Sequence, residues 1–438
     1  MSPISINAAV HPFKSIVEPI MDLSLCMIVK NEETTLPRCL SSVKAVVDEM
    51  VVLDTGSTDR TPEIARAFGA RVYHFDWCND FSAARNESLK YAEGDWILVL
   101  DADEVLVAEI VPTLQQLIQS DREASPREFR EASGEEFHQQ PTQGHLLVNL
   151  VRQEVGAEQS PYSLVSRLFR NHPDISFSRP YHALVDESVS LILSQEPGWK
   201  VGYLSEVAIL HEGYQANAIA GRDKFQKAQT AMEGFLASHP SDPYVCSKLG
   251  ALYVQVGDLQ RGLALLKRGL TSTQLTPSIA YELHYHLGIA YSRLQDRDQA
   301  AAHYQAAVQQ PILGKLKLGA YNNWGNLLKV KGDLLGARTA YQTVLQIDPS
   351  LAAGHYNLGM TLKAMGHLEE AIAAYKQAIQ LQPNHAEAYQ NLGVTLWNLG
   401  KVSESLSAFR QAIALHQQHN PLEAQRLRQG LKEIGFDL

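Results

Sequence analysis

The 438-residue sequence has few cysteines, no surplus of basic residues and no long apolar run. Its four cysteines lie far apart and form no C-x-x-C pair. This spacing argues against a disulfide framework or a structural zinc site and is typical of reduced thiols in a cytoplasmic protein. The formal net charge is −10. It disfavours nucleic acid and anionic membranes as partners, and no segment has the length of a membrane-spanning helix.

Two glycine-rich motifs for nucleotide binding are also missing. No G-x-G-x-x-G follows the first predicted strand, and G-x-x-x-x-G-K-[ST] occurs nowhere. Both motifs need glycine because the backbone must approach phosphate oxygens closely. The sequence therefore excludes the usual dinucleotide and P-loop sites. A nucleotidyltransferase on a related sheet is disfavoured as well, because the first loop reads Lys30-Asn31-Glu32-Glu33 instead of being glycine-rich and basic.

The sequence pattern changes near residue 238 from alternating strands and helices to repeated helices, and we predict that the chain has three parts. Residues 1–21 contain three prolines and no basic segment followed by an apolar run, which indicates a flexible leader and not a signal peptide. Residues 22–237 form an α/β domain, in which a polar stretch at about 120–144 reads as an exposed loop. Residues 238–438 form a helical domain.

Short apolar strands alternate with helices in the α/β domain, which predicts a doubly wound sheet with its ligand at the carboxyl ends of the strands. The predicted strands are Leu23–Val29, Glu49–Leu53, Ala70–Phe75, Trp96–Leu100, His145–Val151, Ser163–Phe169 and Val201–Leu210. The predicted helices are Thr35–Val46, Asp59–Phe68 and Phe81–Tyr91.

The helical domain is repetitive. Gly325, Gly359 and Gly393 follow one another at intervals of 34 residues, and looser copies centre on Gly250 and Gly288. Five helix–turn–helix units with this period resemble the tetratricopeptide repeat, which implies an all-α solenoid. The charged segment Pro421–Ile434 is predicted to cap its end. Concave surfaces of such repeats bind peptides, so the resemblance implies a peptide or protein partner.

Acidic residues follow three of the predicted strands. The clusters are Asn31-Glu32-Glu33, Asp54 to Asp59, and Asp101-Ala102-Asp103-Glu104. Carboxylates gathered at one edge of a sheet repel one another unless a cation or a donor-rich ligand is bound. One carboxylate of the D-x-D pair could accept a ribose hydroxyl while the other holds Mg²⁺ or Mn²⁺ on a diphosphate. Arg85 could supply further positive charge.

Four motifs resemble family 2 glycosyltransferases with the GT-A fold: LCMIVKNEE, VVLDTGSTDRT, DFSAARNESL and WILVLDADE. The resemblance implies inverting transfer from a nucleoside-diphosphate sugar, with uridine the favoured base. By the same resemblance Glu32 and Asp54 lie near the base and ribose, and Arg85 contacts the nucleotide. Asp101 and Asp103 correspond to the metal–diphosphate motif.

Three later motifs, RLFRN, SRPYHALVDES and ILHEGY, resemble the bacterial subgroup whose transferase domain carries such repeats. Some members of that neighbourhood glycosylate peptides or proteins. His211 in the third motif is a candidate metal ligand beside Asp103. A lone histidine at a strand end is otherwise a surface or capping residue.

The catalytic base is the least determined residue. The resemblance places a glutamate after the histidine at position 182, but this sequence has Ala183. The base is then Asp186, Glu187 or Glu212. Alternatively, the acceptor is a group such as a thiol that needs little help from a base, or the transferase activity is weakened. Asp186 is our candidate, although it could also be an exposed loop carboxylate. The alternative function is an interaction scaffold whose degenerate transferase domain only binds nucleotide.

Overall fold

The computed structural model describes residues 22–123, 144–157, 160–212, 218–273 and 275–436. The predicted leader at 1–21 lies outside these residues, as do residues 124–143 of the predicted polar loop. The first part of that loop prediction is wrong, because residues 120–123 belong to a helix that runs over Val111–Glu123.

One eight-stranded sheet forms the centre of the α/β domain, in the order β3-β2-β1-β4-β7-β6-β8-β5. Strands β1 to β4 are mutually parallel, whereas β7 runs antiparallel to both β4 and β6. The sheet is therefore mixed and only its first half is doubly wound as expected. The strands are β1 (Leu23–Val29), β2 (Glu49–Asp54), β3 (Arg71–His74), β4 (Trp96–Val99), β5 (Glu104–Leu106), β6 (His145–Glu154), β7 (Tyr162–Arg170) and β8 (Lys200–His211).

Helices cover both faces of the sheet at β1, β2 and β4, so these three strands are buried over nearly their whole length. Successive residues of β1 show this: Leu25 and Met27 belong to one buried core, and Cys26 between them belongs to the other. The helices are α1 (Leu36–Val43), α2 (Thr61–Ala67), α3 (Phe81–Leu89), α4 (Val111–Glu123) and α5 (Asp186–Gln195).

A helical array follows, in which each repeat pairs a first and a second helix as predicted. The repeats are α7–α8 (Pro243–Val256, Leu259–Leu270), α9–α10 (Pro277–Arg293, Arg297–Val308), α11–α12 (Leu318–Val330, Leu334–Ile347), α13–α14 (Ala352–Ala364, Leu368–Leu381) and α15–α16 (Ala386–Asn398, Val402–His419). Helix α17 (Pro421–Glu433) packs on α16 at the end of the array. Helix α6 (Ala218–Ser238) packs on α7, so the helical packing begins before the change of pattern at residue 238.

The repeated glycine lets the two helices of each unit approach. A Cβ atom at Gly325 would lie 2.8 Å from the ring of Tyr341, and one at Gly359 would lie 2.8 Å from the ring of Tyr375. The large residue stands sixteen positions after the glycine in all five repeats, where the last is Phe409 opposite Gly393. This contact explains the glycine in the sequence pattern. None of the described helices is long and apolar enough to span a bilayer.

Candidate functional site

The loops after β1 and β2 lie together at the carboxyl edge of the sheet and are joined by hydrogen bonds. The amide of Glu32 donates to the hydroxyl of Thr61 at 2.7 Å, and the amide of Thr58 donates to the side chain of Asn31 at 2.8 Å. Asn31 adopts a left-handed backbone with φ of 57°, which asparagine tolerates better than most residues. The first two acidic clusters of the sequence therefore form one surface.

Asp54 and Glu32 stabilise these loops through hydrogen bonds. Asp54 is buried, and its carboxylate accepts hydrogen bonds from the amides of Gly56 and Ser57. The carboxylate of Glu32 accepts from the hydroxyl of Thr35 at 2.6 Å. Both side chains are thus held in place at the edge where the resemblance locates a nucleotide.

Asp101 lies between two arginines at the end of β4. Its two oxygens accept from Arg85 and from Arg167, each at 2.6 Å. Burial alone would raise the pKa of Asp101, but the guanidinium groups of Arg167 and Arg85 hold that pKa well below its usual range. Because β7 runs antiparallel to β4, Arg167 comes back to the same edge. The carboxylate of Asp101 is therefore ionised and fully engaged.

A chain of alternating charges continues from Asp101 along the sheet. Glu104 is completely buried, and it accepts from Arg152 at 2.8 Å and from the backbone amide of Asp101 at 2.9 Å. Arg152 also pairs with Glu154 at 2.7 Å. Each buried charge has an opposite partner, as burial requires. In the sequence, Glu104 stood out only as part of an acidic cluster and Arg167 only as the first residue of the motif RLFRN, whereas Arg152 and Glu154 were not identified.

His211 lies at the end of this series of ion pairs, beside Asp103. Its Nε2 lies 3.2 Å from the carboxylate of Asp103, and its Nδ1 lies 2.5 Å from that of Glu154. Hydrogen bonds to Asp103 and to Glu154 raise the pKa of His211 to about 10. The approach follows from strand pairing, because His211 on β8 is opposite Glu104 on β5. The structure thus brings together the two residues that the sequence analysis named as metal ligands.

These two side chains fit a partial site for a divalent cation. A carboxylate oxygen and a neutral imidazole nitrogen suit Mn²⁺, so the cation would displace the proton that His211 shares with Asp103. Glu154 behind the ring is the kind of partner that orients a ligating histidine. The described residues contain no group of three or more histidine, cysteine or acidic side chains arranged around a metal position. Nη1 of Arg85 is buried in the same region without a hydrogen-bond partner.

Asp186 is the first residue of α5, not part of a loop, and lies near Ser166 of β7, the neighbour of Arg167. Its side chain is exposed to solvent, yet partial desolvation by the surrounding protein raises the pKa of Asp186 above its usual value. The two other candidate bases are each paired with an arginine. Glu187 accepts from Arg179 at 2.7 Å, and Glu212 pairs with Arg38 at 2.6 Å.

Comparison with known proteins agrees with this architecture. The model of glycosyl transferase family 2 matches residues 24–185, and tetratricopeptide-repeat models match 247–314, 325–366, 361–400 and 385–421.

Two relatives and one solved structure illustrate the likeness. A TPR repeat-containing protein of Synechococcus elongatus is 45% identical over 71% of this chain and 72% of its own length. An uncharacterised glycosyltransferase of Rickettsia bellii is 26% identical over 48% of this chain and 67% of its own. The crystal structure of YrrB, a TPR protein, covers 45% of this chain and 98% of its own, with 20% identity and a TM-score of 0.37. The expected architecture is confirmed: the chain carries a domain of glycosyl transferase family 2 at residues 24–185, followed by C-terminal tetratricopeptide repeats.

Proposed function

We propose that this chain transfers a sugar, with inversion, from a nucleoside-diphosphate sugar to a nucleophilic acceptor, with Mn²⁺ or Mg²⁺ as cofactor and UDP as the favoured nucleotide. One observation carries the proposal. Arg85, with an unpartnered buried nitrogen, lies on the network that contains Asp101, and Asp103 with His211 lies at its other end. A donor-rich group and a cation half-site at one sheet edge suit a diphosphate.

Each residue has a separate role in donor binding. Glu32 and Asp54 accept hydrogen bonds from the base and ribose, and Arg85 donates to a diphosphate oxygen. Asp101 orients Arg85 and Arg167 through its two ion pairs. Asp103 and His211 would hold the divalent cation, whose chemistry is to neutralise the negative charge that develops on the diphosphate leaving group.

Asp186 serves as the general base in this proposal. It takes the proton from an acceptor O–H or S–H while the acceptor atom bonds to the anomeric carbon. The bond from that carbon to the diphosphate oxygen breaks in the same step, and the electron pair leaves with the diphosphate. A single displacement from the opposite side inverts the anomeric configuration. Asp186 is preferred to Glu187 and Glu212 because arginine already neutralises those two.

The test measures hydrolysis of UDP-glucose, UDP-N-acetylglucosamine, UDP-galactose and GDP-mannose with Mn²⁺, using water as the acceptor. We expect Asp103→Ala to lower turnover of the preferred donor by at least about 100-fold, since electrostatic stabilisation of a leaving group is worth this much. Asp298→Ala, which changes a carboxylate that is 91% exposed on the repeats, is the control. Equal background turnover in wild type and Asp103→Ala would overturn the proposal.

A second function, an interaction scaffold, is favoured by one observation. The position after His182, where the resemblance places a glutamate, is occupied by Ala183, which packs against a buried core of the α/β domain. This position therefore supplies no carboxylate for catalysis. Calorimetric titration with UDP separates the alternatives further. UDP binding without donor turnover indicates a nucleotide-binding scaffold, and turnover rules that scaffold out.

A further inference from the structure

The segment that precedes α5 is closed into a tight turn. The amide of Ser178 donates to the carbonyl of Leu184 at 2.8 Å, and the amide of Leu184 donates back to the carbonyl of Ser178 at 3.2 Å. The hydroxyl of Ser188 on α5 accepts from the amide of Ser176 at 3.0 Å. Asp186 follows the closed turn by two residues and is the first residue of α5. The position of Asp186 is therefore tied to that of the turn.

The backbone of the turn is strained. Arg179 and His182 adopt left-handed conformations with φ of 74° and 55°, which bring the Cβ atom of an L-residue close to the following carbonyl oxygen. Such strain persists only where the surrounding contacts impose it, and it is common at functional sites. Tyr181, which lies between the two strained residues, packs against the core shared by α6 and α7. Contacts with the helical part of the chain thus help to hold the turn.

Arg179 connects the turn with the first repeat. Its Nη2 donates both to Glu187 of α5 at 2.7 Å and to Asp242 at 2.8 Å. Asp242 is the N-cap residue of α7, and its carboxylate also accepts from the amide of Val245 at 2.7 Å. The guanidinium lies 5.1 Å from the ring centroid of Tyr244 on α7, and only 7% of the Arg179 side chain is exposed. Salt screens such a buried pair weakly, so one nitrogen atom holds α5 against α7.

The repeats are attached to the sheet domain at a second place, which does not involve α5. The hydroxyl of Tyr162 at the start of β7 donates to Asp348 at 2.9 Å, and Nζ of Lys315 donates to the carbonyl of Ser205 at 3.1 Å. Asp348 follows α12 and Lys315 precedes α11, so this attachment belongs to the third repeat. Because two separate attachments hold the array on the sheet domain, the first repeat is a fixed partner of α5.

We propose that Arg179 is a positioning residue for Asp186, and that the first repeat is therefore part of the catalytic site. This inference rests on the proposed function, in which Asp186 takes the acceptor proton, and adds what holds that base in place. Asp186 and Glu187 are the first two residues of α5, so the ion pair at Glu187 fixes the turn of helix that carries Asp186. A general base must lie within hydrogen-bond reach of the acceptor atom, and a misplacement of about 1 Å can cost on the order of 100-fold in rate.

The first experiment measures kcat and KM for hydrolysis of the sugar nucleotide that wild type turns over with Mn²⁺. We expect Arg179→Met to lower kcat by about tenfold to 100-fold. The donor KM should stay within about twofold, because the hydrogen bonds of Arg179 go to Ser178, Glu187 and Asp242, none of which is assigned to the donor. Since one nitrogen of Arg179 makes both ionic bonds, a lysine ammonium can replace it, and Arg179→Lys should keep kcat within about threefold of wild type.

A milder variant and a matched control keep the result independent of misfolding. Asp242→Asn retains the cap of α7, because asparagine caps helices as well as aspartate does, and removes only the charge that Arg179 contacts. It should lower kcat by about threefold to tenfold. UDP affinity, measured by calorimetry, should stay within about twofold in both variants if the donor site is folded. The control Tyr162→Phe removes the hydrogen bond to Asp348 at the second attachment and should change neither kcat nor KM.

A double variant separates positioning of the base from a general structural role. If Arg179 acts through Asp186, its loss has nothing left to disturb once the carboxylate is gone. We therefore expect Arg179→Met in the Asp186→Asn background to lower kcat by less than about twofold, whereas independent effects would multiply. Radiolabelled donor keeps the residual rate of Asp186→Asn measurable.

Three outcomes would overturn the inference while leaving the proposed function intact. They are an unchanged kcat in Arg179→Met, an equal loss of kcat when Arg179→Met is made in wild type and in Asp186→Asn, and a loss of UDP affinity that parallels the loss of kcat. Absence of donor hydrolysis in wild type is a different failure, because it removes the proposed function and the inference with it.

Discussion

At the scale of single residues, the carboxylates of the site differ because their surroundings differ. The two carboxylate oxygens of Asp101 each accept from an arginine, and these two guanidinium groups hold the pKa of Asp101 well below the usual range for aspartate. Asp186 has no such pair of cations, and desolvation by the surrounding protein raises its pKa. Groups whose environments move their pKa values in opposite directions commonly have different tasks. Asp101 is suited to hold arginines in position, and Asp186 is suited to accept a proton.

A pH profile tests the role of Asp186. The base must be deprotonated, so kcat/KM for donor hydrolysis should fall as the pH falls through the raised pKa of Asp186. This acid limb should lie above the usual aspartate range. Asp186→Asn should lower the rate by about 100-fold to 10,000-fold and remove the limb. Glu187→Gln, a change at the next residue, should retain it. A limb that survives in Asp186→Asn would exclude Asp186 as the base.

The two arginines whose place in the site could not be predicted from the sequence share one property: they reach the site by strand pairing. Arg167 and Arg152 lie in strands β7 and β6, far from Asp101 and Glu104 along the chain. Nothing in local periodicity indicates that β7 returns antiparallel to β4. The D-x-D pair and Arg85 could be recognised because they follow strands or lie in local motifs.

At the scale of elements, capping differs along the array. The second helices of the first three repeats have an aspartate as N-cap residue: Asp258, Asp296 and Asp333. Each of these side chains accepts a hydrogen bond from an amide in the first turn. The equivalent positions in the last two repeats are His367 and Lys401, which make no side-chain cap. The backbone conformation is similar at all five.

Replacing one of the uncapped residues should therefore stabilise the array. Lys401→Asp places an acceptor before α16 with Glu404 three positions later, which is the arrangement of a capping box. We expect the free energy of unfolding to rise by about 1 kcal/mol in urea titration. Lys401→Ala is the control for loss of the lysine charge, and an equal gain in that variant would show that capping is not the cause.

Sequence periodicity predicted the repeats and the first four strands, but not strand β5 or the helices α4, α5 and α6. The repeats were recognisable because one packing contact, glycine against a large side chain, recurs at a fixed spacing. Strand β5 has only three residues, too few for any alternation to be seen. Helix α5 begins without a side-chain cap, so its start carries no local signal, and the sequence left open whether Asp186 lies in a loop.

At the scale of the whole molecule, the two attachments should couple the unfolding of the domains. Isolated repeat arrays unfold unit by unit, but the first and third repeats here are bonded to the sheet domain. We expect a single calorimetric transition in wild type. The double variant Tyr162→Phe with Arg179→Met should show two. Tyr203→Phe, at a residue 60% exposed on β8, is the control. Two transitions in wild type would contradict this coupling.

The spacing of the repeat glycines has an evolutionary consequence. The intervals are 34 residues between the last three glycines but 38 and 37 between the earlier ones, at positions 250, 288 and 325. Units of equal length with the same internal contact can be duplicated or lost in register by recombination within the gene. Such events at the C-terminal end would change the reach of the array. The earlier units bear the contacts with the catalytic domain, so they are not interchangeable, and selection should preserve their number.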